Sequence, residues 1–318
     1  GDVYKRQVWT WLYVGITIYY LGSRVTCTAC TVTCAGELPN EGRATGRGLC
    51  RTLASPVSIA TPMLAAWLIS RFGGISVEGI RPLFAIQALI FAAILVLLLA
   101  KMSGGKAHHS PGDRQQVFRR FAQVFQQGPD VVRLLLVMGL MELPYTIAQP
   151  FMPVYAHDFK GAGEFALGGI AMTSVLVPMV ASIPVGRLAD RYGRKKLLFA
   201  IAPLPYLANV VLIYAPASGA GFSLSLLLYG LLFGFNSINM ALASSMAAEI
   251  MPQEQMGRWI GVVGLFRGLL GIPAHLMGGL IWEHVGPQYV FYADIAIDLC
   301  VRLPLLATIQ ETLHLSRE

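Results

Sequence analysis

An all-α bundle of membrane-spanning helices is the fold this sequence predicts, and three observations carry the prediction. First, the chain is 55% hydrophobic and only 13% charged, with a mean hydropathy of +0.59. Soluble domains carry about 25% charged residues, so most of this surface is not built to face water. Second, apolar runs recur near 8–35, 44–69, 80–101, 132–158, 164–189, 197–215, 221–249, 257–283 and 288–310. About 20 residues at ~1.5 Å rise cross the ~30 Å hydrocarbon core of a bilayer. Third, the connections alternate in charge. Those near 36–51, 101–133, 187–196 and 250–258, with the tail after 310, hold sixteen Lys/Arg, whereas the opposite ones hold three: Arg71, Arg81 and Lys160. Short basic loops stay on the cytoplasmic side, which predicts loops 187–196 and 250–258 inside and 159–165 and 283–288 outside. The net charge of +7 therefore reads as topology, with the lipid bilayer as partner and no nucleic acid.

Taken in order, the first element opens on a polar heptapeptide, Gly1–Gln7, which lacks the apolar region and cleavage site of a signal peptide. The chain starts at Gly1 rather than Met, and it reads as truncated. In the first span Cys27, Cys30 and Cys34 share one helix face. A metal site would want four ligands, so small packing residues are the expectation, with no metal and no cofactor. The connection 102–132 predicts a cytoplasmic helix. Ser110 caps it, Pro111 occupies its first turn and Gly128-Pro129 stops it. Its apolar stripe Val117, Phe118, Phe121, Val124, Phe125 beside Arg114, Arg119 and Arg120 suits the headgroup region or the underside of a bundle.

Between the spans 164–189 and 197–215 lies Gly186-Arg187-Leu188-Ala189-Asp190-Arg191-Tyr192-Gly193-Arg194-Lys195-Lys196, five basic residues and one acid in a short turn. The order G-x-L-A-D-R-x-G-R-K resembles the signature loop of the major facilitator superfamily of secondary transporters, carried here by Gly186, Leu188, Asp190, Arg191, Gly193, Arg194 and Lys195. A repeat supports the resemblance. Pro39-Asn40-Glu41, Gly42-Arg43, Gly46 and Gly48-Leu49-Cys50-Arg51 return as Pro252-Gln253-Glu254, Gly257-Arg258, Gly261 and Gly264-Leu265-Phe266-Arg267, displaced by 213 to 216 residues. Repeats of this size fit two six-helix halves.

The resemblance then implies residues 1–101 as the last three helices of a truncated N-terminal bundle. Residues 102–132 become a cytoplasmic linker, and 133–318 a complete six-helix C-terminal bundle. In the first span Ile16 and Tyr20 replace an arginine and a glycine of the family's fourth-helix pattern, so the coupling role often assigned to that arginine has no carrier here. In the family's pseudo-symmetric arrangement Asp190 would lie near the start of the fifth helix, around Arg43 and Ala44, as a latch at the positive end of that helix dipole.

Ionisable groups at membrane depth cost a few kcal/mol on insertion scales (about 2.5–3.5 kcal/mol for Asp or Arg at a helix centre), so each needs an account. Glu142 lies about ten residues into its span, with Gln149 on the same face and Pro144, Pro150 and Pro153 interrupting the backbone ladder. A coupling role and a buried structural hydrogen bond are both open for it. Asn236 and Asn239 present amides on one face of the 221–249 span, as cavity lining or interhelical glue. Arg51 and Arg267 are repeat-equivalent; either they favour an anionic substrate or they snorkel to the interface. His275 reads as a hydrogen-bonded core residue. Asp294, Asp298 and Arg302 run at i, i+4, i+8 and fit a proton relay by chemistry alone. Because the family's twelfth helix is peripheral, a buried ion pair orienting that helix is the expectation.

No phosphate-binding loop and no nucleophile–base pairing is present in the sequence, so no enzyme is expected. The resemblance implies alternating-access transport of a small-molecule substrate, coupled to an ion or proton, by a multi-pass protein of the plasma (inner) membrane, monomeric at full length. A transporter-like protein that binds or senses a ligand without transport is the alternative.

Overall fold

The computed structural model describes residues 43–101, 129–217, 220–250 and 256–309. The chain divides into two compact units, Gly1–Val57 and Ser58–Glu318. Only residues 43–57 of the first are described, as the opening of the helix α1 (Arg43–Arg71). The cysteine-bearing first span with Ile16 and Tyr20, the helix expected within 102–128 and most of the first repeat copy fall outside the described residues.

Every regular element among the described residues is helical. After α1 come α2 (Val77–Lys101) and α3 (Pro129–Ala148), which passes through a 3-10 turn at Gln149–Phe151 into α4 (Met152–Asp158). Then follow α5 (Glu164–Tyr192), α6 (Arg194–Ile201), α7 (Pro203–Tyr214), α8 (Ala220–Ile250), α9 (Met256–His284) and α10 (Tyr289–Ile297). A π-helical turn at Asp298–Arg302 leads from α10 into α11 (Leu303–Ala307). Six stretches among the described residues are long and apolar enough to cross a membrane, from Val77–Leu97 to Arg258–His284. With no polar solvent at that depth, a backbone must satisfy its own hydrogen bonds, which helices do internally.

Within Ser58–Glu318, α8 packs along α5, α6 and α7, while α3 packs along α9 and α10, and α10 also meets α7. The buried apolar residues form two clusters. One gathers Val137, Leu198, Met246, Trp259 and Leu306 toward the end where α5 turns into α6. The other gathers Ile147, Ala156, Leu212, Val290 and Phe291 toward the opposite end. Glu142 and Tyr145 lie on α3 between Met141 of the first cluster and Ile147 of the second, so a polar layer is sandwiched between two apolar ones. Outward faces carry Val180, Ile183, Leu269, Ile272 and Leu276, all more than half exposed, as lipid contact requires. His275 is exposed too, its Nδ1 against the Gly271 carbonyl of its own helix at 2.7 Å. It is therefore hydrogen-bonded, as its sequence context implied, but exposed rather than in the core.

The α5–α8 contact depends on absent side chains. A Cβ at Gly230 would fall 1.9 Å from Thr173 Oγ1, and one at Gly234 would fall 2.7 Å from the Ser174 carbonyl oxygen. Gly230-x-x-x-Gly234 is the small-residue spacing that lets membrane helices approach closely where no hydrophobic effect drives them together.

Candidate functional site: a polar cavity in the C-terminal bundle

The signature segment folds with less loop than its composition implied. Gly186 through Tyr192 complete the last turns of α5, and α6 begins at Arg194, so the turn is Gly193 alone, with φ +105°. That dihedral is open to glycine and strained for other residues. Asp190 is 69% exposed on its side chain and meets Arg194 at 3.4 Å. Arg194 is the more engaged partner: its Nη1 donates to the Ser245 carbonyl at 2.8 Å and lies 3.1 Å from a nearly buried Glu249 carboxylate.

Lys195 Nζ donates to the Ala307 carbonyl at 2.7 Å and to the Ile309 carbonyl. Cations at a helix C-terminus satisfy its orphan carbonyls and its dipole. Thus Arg194 and Lys195 tie the turn to the ends of α8 and α11. Leu188 and Arg191 are exposed, with the Arg191 guanidinium 5.5 Å from the Tyr192 ring centre. At the opposite end Lys160 plays the same part, donating to the Ile213 and Ala215 carbonyls at 2.7 and 2.8 Å. Partial burial pushes its ammonium below the usual range.

The polar layer opens as a cavity of about 620 Å³ among α1, α3, α5 and α8, lined by Ser58, Glu142, Tyr145, Ser174, Asn236 and Ser237 among others. Prolines interrupt its helices: Pro144 sits inside α3, and Pro178, which lines the cavity, and Pro184 inside α5. Each removes a backbone donor. Thr146 Oγ1 turns back to the Glu142 carbonyl at 2.7 Å.

Glu142 lines the cavity and its carboxylate stands 3.8 Å from Arg267 Nε of α9, with both side chains largely buried. The same Nε donates to the Met138 carbonyl at 3.2 Å. Two residues that the sequence offered separately are thus brought together across α3 and α9. Gln149 hydrogen-bonds the buried Tyr229 hydroxyl. Arg51 lies on α1, with its side chain outside the described residues. The neighbourhood proposed for Asp190 around Arg43 and Ala44 likewise falls outside the described side chains.

A second, smaller pocket adjoins the cavity, sharing Met141, Tyr145, Phe233 and Asn236 with it and reaching Asn239, Tyr206, Asp294, Asp298 and Arg302. The charged stripe of the last span therefore faces the interior. Arg302 pairs with Asp298 through both Nε and Nη2, and the Tyr206 hydroxyl bonds Asp298 and accepts from Arg302 Nη2 at 2.9 Å. Asp298 and Arg302 are 5% and 3% exposed, and Asn209 Nδ2 donates to Asp294. The helix runs as a π turn here: the Leu303 N–H bonds the Asp298 carbonyl, five residues back. An α-helical stripe did not anticipate it, nor did any sequence signal mark Tyr206 or Asn209 as partners. The Gly230–Gly234 spacing, by contrast, was readable as a small-residue motif.

Helices broken by proline around a midspan cavity with buried charge pairs define a multi-pass integral membrane protein with an internal polar site. The profile of the Major Facilitator Superfamily matches residues 134–309, and the chain belongs to that family. It is 25% identical over 178 residues to multidrug resistance protein 3 of Bacillus subtilis (52% of this chain, 31% of that protein). It is 27% identical over 184 residues to the class E tetracycline resistance protein of Escherichia coli (57% and 44%). To the multidrug resistance protein MdtG of Salmonella arizonae it is 30% identical over 161 residues (48% and 38%). The chain spans less than half the length of each of these relatives.

Proposed function

We propose that the protein to which this chain belongs is a secondary transporter of small solutes, working by alternating access, with Glu142 as a proton-coupling carboxylate and Arg267 as its counter-charge. The observation that carries this reading is the Glu142 carboxylate on the wall of the 620 Å³ cavity, 3.8 Å from the Arg267 guanidinium. An intramembrane acid that faces a cavity and has a basic partner on a neighbouring helix is a functional arrangement by default. Protonation of Glu142 dissolves the α3–α9 ion pair and leaves Arg267 on the Met138 carbonyl; deprotonation restores it. A proton taken from one side thus changes the contact between two helices that pack along each other. Resistance-type relatives point to organic solutes moved outward, and a cavity of this volume accommodates a drug-sized molecule, which occupies ~300–1,000 Å³ sites.

The test uses the full-length protein in proteoliposomes with an imposed pH gradient and tetracycline as the first solute. Glu142→Gln keeps shape and much of the hydrogen bonding, so it abolishes gradient-driven accumulation and leaves exchange down the solute's own gradient. Accumulation with an unchanged pH dependence in Glu142→Gln refutes the coupling role. Saturable binding with neither accumulation nor exchange in the wild type favours a ligand-sensing protein.

A further inference from the structure

The smaller pocket behind Tyr145 and Asn236 has a volume of about 30 Å³, enough for one water molecule, which needs a space of at least ~10–15 Å³. Two of the residues lining it, Asn239 and Arg302, are 2% and 3% exposed. Each carries a buried polar atom with no hydrogen-bond partner, Asn239 Oδ1 and Arg302 Nη1, and among the described residues these are the two such side-chain atoms. Leaving a buried donor or acceptor unmade is expensive, and native structures satisfy nearly all of them. One orphan is an acceptor and the other a donor, so a group that both donates and accepts satisfies the pair at once. An O–H does this; a carbonyl, an ether or an ammonium meets only one of the two.

Charge narrows the choice further. Asp294 and Asp298 both line the pocket against the single guanidinium of Arg302, so an anion is repelled. A cation has no lone pair to accept from Arg302 Nη1 and leaves that donor unmet. A neutral hydroxyl remains.

We propose that this pocket is a hydroxyl-recognition subsite at the back of the main cavity. A water occupies it when the cavity is empty. The hydroxyl of a neutral, ring-sized solute takes its place, donating to Asn239 Oδ1 and accepting from Arg302 Nη1, while its rings stay in the larger cavity across the shared wall of Met141, Tyr145 and Phe233. The subsite deepens the transport reading, but it is tested by binding alone, so its failure and a failure of Glu142-coupled transport are separate results.

The experiment measures equilibrium binding of 2-naphthol and 2-methoxynaphthalene to the purified full-length protein in detergent, with empty micelles subtracted. The pair differs in whether the oxygen can donate. A site built to hydrogen-bond a hydroxyl rejects the analogue lacking it, and wild type is expected to favour 2-naphthol by about tenfold or more. Asn239→Leu, which keeps the branching and removes the acceptor, brings the two affinities within about threefold of each other. Asn239→Ala tests the same point should the leucine variant fail to fold. Equal affinities in wild type, no saturable binding of 2-naphthol, or a preference that survives loss of the Asn239 amide overturns the proposal.

Discussion

Two adjacent glycines in α9 supply a paired test of how this bundle is held together. A Cβ added at Gly278 would lie 2.6 Å from the Ile147 carbonyl oxygen and 2.8 Å from Phe151 Cε2, whereas one at Gly279 meets nothing within 4 Å. Ordinary van der Waals contact begins near 3.4 Å, so Gly278→Ala forces α9 and α3 apart by most of an ångström. The carbonyl is backbone and cannot rotate away as a side chain would. Overpacking of this kind costs about 1–3 kcal/mol. Against it stands the better helix propensity of alanine, about 1 kcal/mol at most, which is all that Gly279→Ala experiences. The full-length protein, purified in detergent and heated while its tryptophan fluorescence is followed, therefore melts lower as Gly278→Ala and at or slightly above wild type as Gly279→Ala. Equal shifts in the two variants, or the reverse order, would refute the close α3–α9 contact.

Other outcomes follow from the ends of the helices. Arg194→Ala loses the Ser245 carbonyl and Glu249 together and lowers thermal stability. Asp190→Asn loses only an exposed pair, whose contribution is about 0–1 kcal/mol, and leaves the melting temperature nearly unchanged; a larger loss in Asp190→Asn than in Arg194→Ala contradicts this ranking. Lys195→Met leaves the Ala307 and Ile309 carbonyls without their donor, and amide exchange over 303–309 quickens; unaltered exchange there removes Lys195 from that role. In a cysteine-free background, Gln288→Cys is labelled from outside intact cells by an impermeant maleimide and Lys196→Cys is protected. Labelling of Lys196→Cys from outside inverts the topology.

Composition and spacing by themselves determined a great deal here. Apolar runs placed the helices because a segment in hydrocarbon must be both apolar and self-bonded. Accordingly α5, α8 and α9 begin and end within a few residues of where the sequence put them. The order of residues 186–196 sufficed for the family.

Partnership was decided elsewhere. Glu142 and Arg267 each read as a lone charge at depth, and only the packing of α9 along α3 makes them a pair. The stripe Asp294, Asp298, Arg302 suggested an ion pair, but the π turn, the Tyr206 bridge and the pocket shared with Asn239 belong to the meeting of α7, α8 and α10. The reason is physical. Depth and helicity follow from what one segment exchanges with solvent, whereas a contact between helices follows from which faces interlock, and that depends on small residues such as Gly230, Gly234 and Gly278 opening room for a particular neighbour.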